Sequence, residues 1–216
     1  MLAEWLAPMD VESFRRSFLH RSAWALPHSA ESALSVLDWT VLDEVLASRT
    51  PADIIVCAQG NMLPFPAPRD LVELKAYMRI GIGLCMRHTQ RSHPRLAALA
   101  ESFAVALPGR VQVQIFVTPA ETHGFGWHYD EEDVFIAQVA GIKNYYFREN
   151  TVEVNAPFPP PDFTAFHAET SSLHMATLVP GDFLYIPARW WHMAVCREDS
   201  LSISVGVLLD GPSLAS

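Results

Sequence analysis

The stretch RVQVQIFVTP, residues 110–119, is where the character of the chain changes. Val111, Val113, Ile115 and Val117 occupy every second position, with Gln112 and Gln114 between them. Side chains of a strand alternate between its two faces, so this pattern predicts a strand with one apolar face. Downstream, DVFIAQVAGIKNYYFREN (133–150) reads as two strands around a turn at Ala140 and Gly141. ATLVPGDFLYIPARWWHMAVC (176–196) reads as two strands, broken at Pro180, Gly181 and Pro187, and DSLSISVGVLL (199–209) as a last one. NAPFPPPDF (155–163) is expected to be a proline-rich loop. Short strands at close spacing, punctuated by Pro and Gly, predict a sandwich or barrel, with a double-sheet jelly roll foremost.

Upstream the period lengthens. DVESFRRSFLHR (10–21) starts with an Asp suited to capping and sets Val11, Phe14, Phe18 and Leu19 on one helical face. SVLDWTVLDEVLAS (35–48) repeats the pattern and is expected to be one helix capped by Ser35. DLVELKAYMR (70–79) and HPRLAALAESFAVALPG (93–109) read as further helices, the latter stopped by Pro108 and Gly109. ADIIVCAQG (52–60) and IGIGLCMR (80–87) read as short strands, with a proline loop at 62–70 between them. The expected architecture is mainly β with α: a jelly-roll core at 108–209 and a mostly helical part at 1–107 packed outside it. Half of the 216 residues are hydrophobic and 18% are charged, enough for one sizeable core, so a single domain over 1–216 is expected.

Composition narrows the function classes. The formal charge is −9, and Arg15 and Arg16 are the only adjacent basic pair, so no nucleic-acid footprint is visible. No apolar run is long enough to span a bilayer, and MLAEWLAPMDVESF lacks the basic start and apolar core of an export signal. Cys57, Cys85 and Cys196 are odd in number and scattered, without zinc or disulfide spacing. They read as small buried hydrophobes in a protein of the reducing cytoplasm.

Chemistry concentrates in GFGWHYDEEDVFIAQVAGIK (124–143) and GDFLYIPARWWH (181–192). On a strand, His128 and Asp130 would share a face and reach one ion together. His192 begins a returning strand after a Gly, Asp and Pro pattern of the kind small cupin-type barrels use to bring a His to the mouth. Two imidazoles and one carboxylate leave coordination positions open, the arrangement of non-haem Fe(II) oxygenases. His123, His167 and His174 have no strand-paired partner and read as surface or supporting groups. Lys143, one of only two lysines, is expected on a strand next to the one carrying His128 and Asp130, sharing a face with Tyr145 and Phe147. If that face is the barrel interior, the ammonium needs an anion. A small dicarboxylate that chelates the metal at one end and meets Lys143 at the other satisfies both. Trp127, Trp190 and Trp191 flank the ligand segments, as site walls or as core. Glu131, Glu132 and Asp133 follow the pair, as a solvated loop or as a greeting for a basic side chain.

These residues resemble the JmjC-type Fe(II)/2-oxoglutarate oxygenases, nearest their cupin-like protein hydroxylase branch, which includes the ribosomal oxygenases. The likeness runs over 110–207, thins over 70–109 and is loose before that. It implies that His128, Asp130 and His192 bind Fe(II), that Lys143 binds the far carboxylate of 2-oxoglutarate, and that Ser202 or Ser204 adds a hydrogen bond. Phe116 stands where relatives often carry a tyrosine, and Phe125 where some carry a threonine, so Gln114 or Tyr145 would help hold the cosubstrate instead. The sequence stops shortly after its last strand, so the C-terminal dimerisation and winged-helix regions of ribosomal oxygenases are not expected in it. The implied reaction uses O2 to hydroxylate a C–H bond of a peptide or protein side chain, with 2-oxoglutarate leaving as succinate and CO2. A free amino acid or other small-molecule substrate, a cupin-type metalloenzyme without 2-oxoglutarate, and a binding module without turnover are the alternatives.

Overall fold

The structure is a computed structural model and describes residues 1–48, 50, 52–152 and 163–209. In chain order its elements are α1 (Leu2–Trp5), α2 (Val11–Ser17), β1 (Trp24–Leu26), α3 (Ala33–Val36), α4 (Trp39–Leu46), β2 (Asp53–Ala58), β3 (Asn61–Met62) and α5 (Leu71–Met78). Then come β4 (Gly83–Arg87), a 3-10 turn (Thr89–Arg91), α6 (Pro94–Ala106), β5 (Arg110–Thr118), β6 (Asp133–Ala140) and β7 (Lys143–Arg148). The last are α7 (Phe163–Ala168), β8 (His174–Leu178), β9 (Phe183–Ile186), β10 (Trp191–Cys196) and β11 (Ser200–Leu208). The proline-rich stretch at 155–163 lies, but for its last residue, outside the described residues.

The strands form two antiparallel sheets. The larger runs β1-β9-β6-β11-β5-β4-β2-β3 and the smaller β10-β7-β8. This is the expected double-sheet jelly roll, extended at both edges of the large sheet by strands from the first 107 residues. Alternation explains the layering. The odd-numbered face of β5 (Val113, Ile115, Val117) and that of β11 (Ile203, Val205, Val207) turn away from the small sheet and bury themselves under the helices. There Trp5 meets Phe103 at 5.5 Å between ring centroids, and Phe103 meets Phe135 at 5.2 Å. A second apolar cluster, including Val134, Ile136, Tyr145, Phe147 and Leu184, joins the two sheets face to face. On the inward face of β5 and β11 the register sets Gln114, Phe116 and Thr118 opposite Ser204, Ser202 and Ser200, so that face is mostly polar. One end of the barrel interior is thereby packed, while the other is left polar.

Four local expectations change. The segment 35–48 is two helices, because Asp38 adopts extended backbone and accepts from Val41 N at 2.8 Å, capping α4 where Ser35 was the expected cap. The segment 176–196 gives three strands, β8, β9 and β10. The turn at Ala140 and Gly141 is a corner between sheets, since β6 lies in one and β7 in the other. Gly141 holds φ +72°, and a Cβ there would overlap the Asp199 carbonyl. Finally, Lys143, expected on a strand next to one carrying His128 and Asp130, lies on β7 between β10 and β8, opposite Cys196 and Leu178.

Candidate metal centre and cosubstrate pocket

His128 and Asp130 are not on a strand. They sit in the connection between β5 and β6, at 119–132, pinned by one two-way bridge in which His128 N donates to His192 O at 3.1 Å and His192 N to His128 O at 2.8 Å. The i, i+2 logic survives because the bridge imposes strand-like geometry on that single residue pair. The imidazole centroids of His128 and His192 lie 4.3 Å apart, and His192 Nε2 lies 3.5 Å from Asp130 Oδ2. One donor atom from each of the three residues falls within 4.8 Å of the others. Among the described residues this is the one His, Cys, Asp and Glu cluster able to hold a metal; His123, His167 and His174 take no part.

The ring nitrogens are assigned by their neighbours. His128 Nδ1 lies 2.8 Å from the Gly126 carbonyl and His192 Nδ1 lies 3.0 Å from the Trp190 carbonyl. A carbonyl only accepts, so each Nδ1 carries the hydrogen and each Nε2 offers a lone pair. Burial, and then the neighbouring His128, push His192 down to about 4, against the opposing pull of Asp130. Both effects favour the neutral imidazole, the form that ligates.

A small pocket opens beside this cluster. Gln114, Tyr145, Lys143 and Ser204 line it together with all three cluster residues. Lys143 is 4% exposed. Its Nζ lies 3.5 Å from both Thr118 Oγ1 and Ser202 Oγ, 5.6 Å and 5.4 Å from the ring centroids of Phe116 and Tyr145, and interacts with the Tyr145 hydroxyl. No ion pair is recorded for it among the described residues, so the pocket holds a desolvated ammonium without a carboxylate. Thr118 escaped the sequence reading. The signal was there, since it shares the Gln114 and Phe116 face two residues further along β5.

A larger groove opens outside the pocket past Trp127, Tyr129 and Glu132. Trp127 stacks on Phe166 of α7 with centroids 4.3 Å apart, while Trp191 is fully buried against Tyr129. Of the three tryptophans, Trp127 borders the groove and Trp191 is core. Glu131 pairs with Arg189 at 2.8 Å, whereas Glu132 is held by the neutral Gln112 amide at 3.2 Å and 3.3 Å. Burial, with the Asp130 charge, raises the Glu132 carboxyl.

Comparison with known proteins agrees with this geometry. The family model described as JmjC domain matches residues 85–213. A bifunctional lysine-specific demethylase and histidyl-hydroxylase NO66 of Drosophila persimilis is 24% identical over 94% of this chain and 31% of its own length. Ribosomal oxygenase 1 of Rattus norvegicus is 28% identical over 91% of this chain and 35% of its own. The chain thus spans about a third of the length of these curated relatives. Among solved structures, Escherichia coli YcfD, described as a ribosomal oxygenase in complex with cobalt and 2-oxoglutarate, superposes with a TM-score of 0.65 at 20% identity, covering 95% of this chain and 53% of that one. The jelly roll is therefore the fold of that protein. By the family match over more than half its length, the chain belongs to the JmjC domain family.

Proposed function

We propose that the protein is an Fe(II)- and 2-oxoglutarate-dependent oxygenase that hydroxylates a C–H bond of a peptide or protein side chain. The observation that carries this is the buried, unpaired Lys143 ammonium in the same pocket as a His, Asp and His cluster. The residues suit the group. Two neutral imidazoles and a carboxylate match a non-haem iron donor set with positions left open. The ammonium matches the free carboxylate of a keto acid held at its other end by the metal. Bound there, Fe(II) with 2-oxoglutarate and O2 supplies C–H oxidation, releasing succinate and CO2.

The chain's own residues do the rest. Gly126 and Trp190 carbonyls fix the two imidazoles, Lys143 orients the diacid, and Ser202, Ser204, Gln114 and Tyr145 offer it hydrogen bonds. Phe116 and Phe125 exclude water from the pocket wall. The outer groove runs past the metal cluster, and Glu132 on its border, held by the neutral Gln112 amide, suits a basic side chain. The printed names of the relatives, histidyl-hydroxylase and lysine-specific demethylase, point the same way. Three free, buried cysteines suit a reducing, cytoplasmic setting. No described helix is long and apolar enough to cross a membrane.

Anaerobic addition of 2-oxoglutarate to the Fe(II)-loaded protein tests the reading. A weak visible charge-transfer band is expected, lost in His192→Ala and requiring roughly tenfold more keto acid or beyond in Lys143→Met. Iron binding with no response to 2-oxoglutarate would assign the barrel to metal chemistry of another kind.

A further inference from the structure

Three groups that the proposed chemistry does not use close a ring at the start of β6. His20 N donates to Tyr185 Oη at 2.9 Å, Tyr185 Oη donates in a short bond to Asp133 Oδ1, and Asp133 Oδ2 pairs with His20 Nδ1 at 2.9 Å. Asp133 and Tyr185 are fully buried. His20 lies in the turn after α2, Tyr185 on β9 and Asp133 at the first position of β6, so the ring ties the helical layer to the large sheet at one point.

That point is where both ligand segments leave the sheet. Asp133 follows Asp130 by three residues, and Tyr185 precedes the turn at 187–190. Ala188 N reaches Asp133 Oδ1 at 3.4 Å, Arg189 N donates to the Asp130 carbonyl at 2.7 Å, and the Trp190 carbonyl accepts from the His192 ring. Both His20 (φ 59°) and Arg189 (φ 65°) hold left-handed backbone, which residues other than glycine keep only where surrounding contacts over-determine it. A buried carboxylate whose Oδ1 accepts from Tyr185 and Ala188 while its Oδ2 faces only the His20 ring is an expensive way to cap a strand. It is an effective way to fix the distance between two segments.

We propose that His20, Asp133 and Tyr185 are positioning residues that hold the turn at 187–190 against Asp130, and so set the spacing of the metal ligands. The proposal rests on the reading of His128, Asp130 and His192 as a metal site. Partners bonded directly to metal ligands change affinity by ~10–100-fold when lost, and these residues act one contact further out, so the low end of that range is expected.

The test uses cobalt(II), whose visible spectrum reports ligand geometry. Tyr185→Phe keeps the ring packing and removes only the hydroxyl, and His20→Ala is a second variant at a partly exposed position. Thr89→Val, which deletes a buried hydrogen bond to Val113 O elsewhere under the same sheet, is the control. Expected is a rise of ~tenfold in the cobalt dissociation constant and an altered spectrum for both relay variants, with Thr89→Val binding like wild type. Cobalt binding within twofold of wild type in Tyr185→Phe and His20→Ala, with lowered melting only, makes the ring purely structural and overturns the proposal. Wild-type protein that binds no cobalt, or whose binding His128→Ala leaves intact, overturns the metal reading and the relay together.

Discussion

Single side chains carry opposed demands in this molecule, and Lys143 shows it most clearly. Its ammonium is desolvated without an anion, which costs stability and is repaid only by a ligand. Lys143→Met is therefore expected to raise the urea midpoint of the ligand-free protein while weakening 2-oxoglutarate binding by about tenfold or more, the two effects having opposite sign. Gly206 is constrained in another way. A Cβ on it would overlap the Glu132 carboxylate, which lies across β11 at that position. Because that carboxylate is the far end of a flexible side chain, Gly206→Ala is expected to displace Glu132 from the Gln112 amide and to cost no more than about 1 kcal/mol in denaturant unfolding. At this scale the sequence was generous: His128, Asp130, His192, Lys143, Gln114, Tyr145 and Ser204 all meet in one pocket, and Ser202 lies 3.5 Å from the lysine amine. Thr118 was missed because a threonine before a proline looks like the end of a strand.

Elements were legible where their stop signals are local. Asp10 and Asp70 cap α2 and α5, accepting from Ser13 N and Glu73 N at 2.8 Å each, and α6 ends before Pro108 and Gly109. The division of α3 from α4 was hidden, because the apolar spacing continues through it and only extended backbone at Leu37 and Asp38 breaks the helix. Asp38→Ala is expected to lower stability by about 0.5–2 kcal/mol, measured by chemical denaturation, while Ser35→Ala is expected to change little. The position of His128 and Asp130 was misassigned for a related reason. A two-residue bridge supplies the same facing of side chains as a strand, so alternation cannot separate the two. Which sheet β7 joins was not written locally at all, since Gly141 turns the chain through a corner and not through a hairpin.

Across the whole molecule, the helical layer does more than cover the sheet, because the ion pair of His20 and Asp133 links the two. The side-chain hydrogen bond to Asp133 raises His20 against the opposing effects of burial and Arg21. A histidine raised on folding contributes stability that is complete below its unfolded value of about 6.5 and fades as pH rises through its folded value. The stability difference between wild type and His20→Ala is thus expected to be greatest below pH 6.5 and to shrink in alkaline buffer, as followed by urea unfolding across pH. The central claim is a different one: three side chains from two segments converge on one metal, and Lys143 grips the far end of a diacid chelating it. A crystal grown with Mn(II) and an inert 2-oxoglutarate analogue tests it most directly. The account predicts manganese on His128, Asp130 and His192, with the analogue's distal carboxylate against Lys143 Nζ. Manganese bound elsewhere, or an analogue carboxylate that leaves the lysine amine untouched, would contradict it.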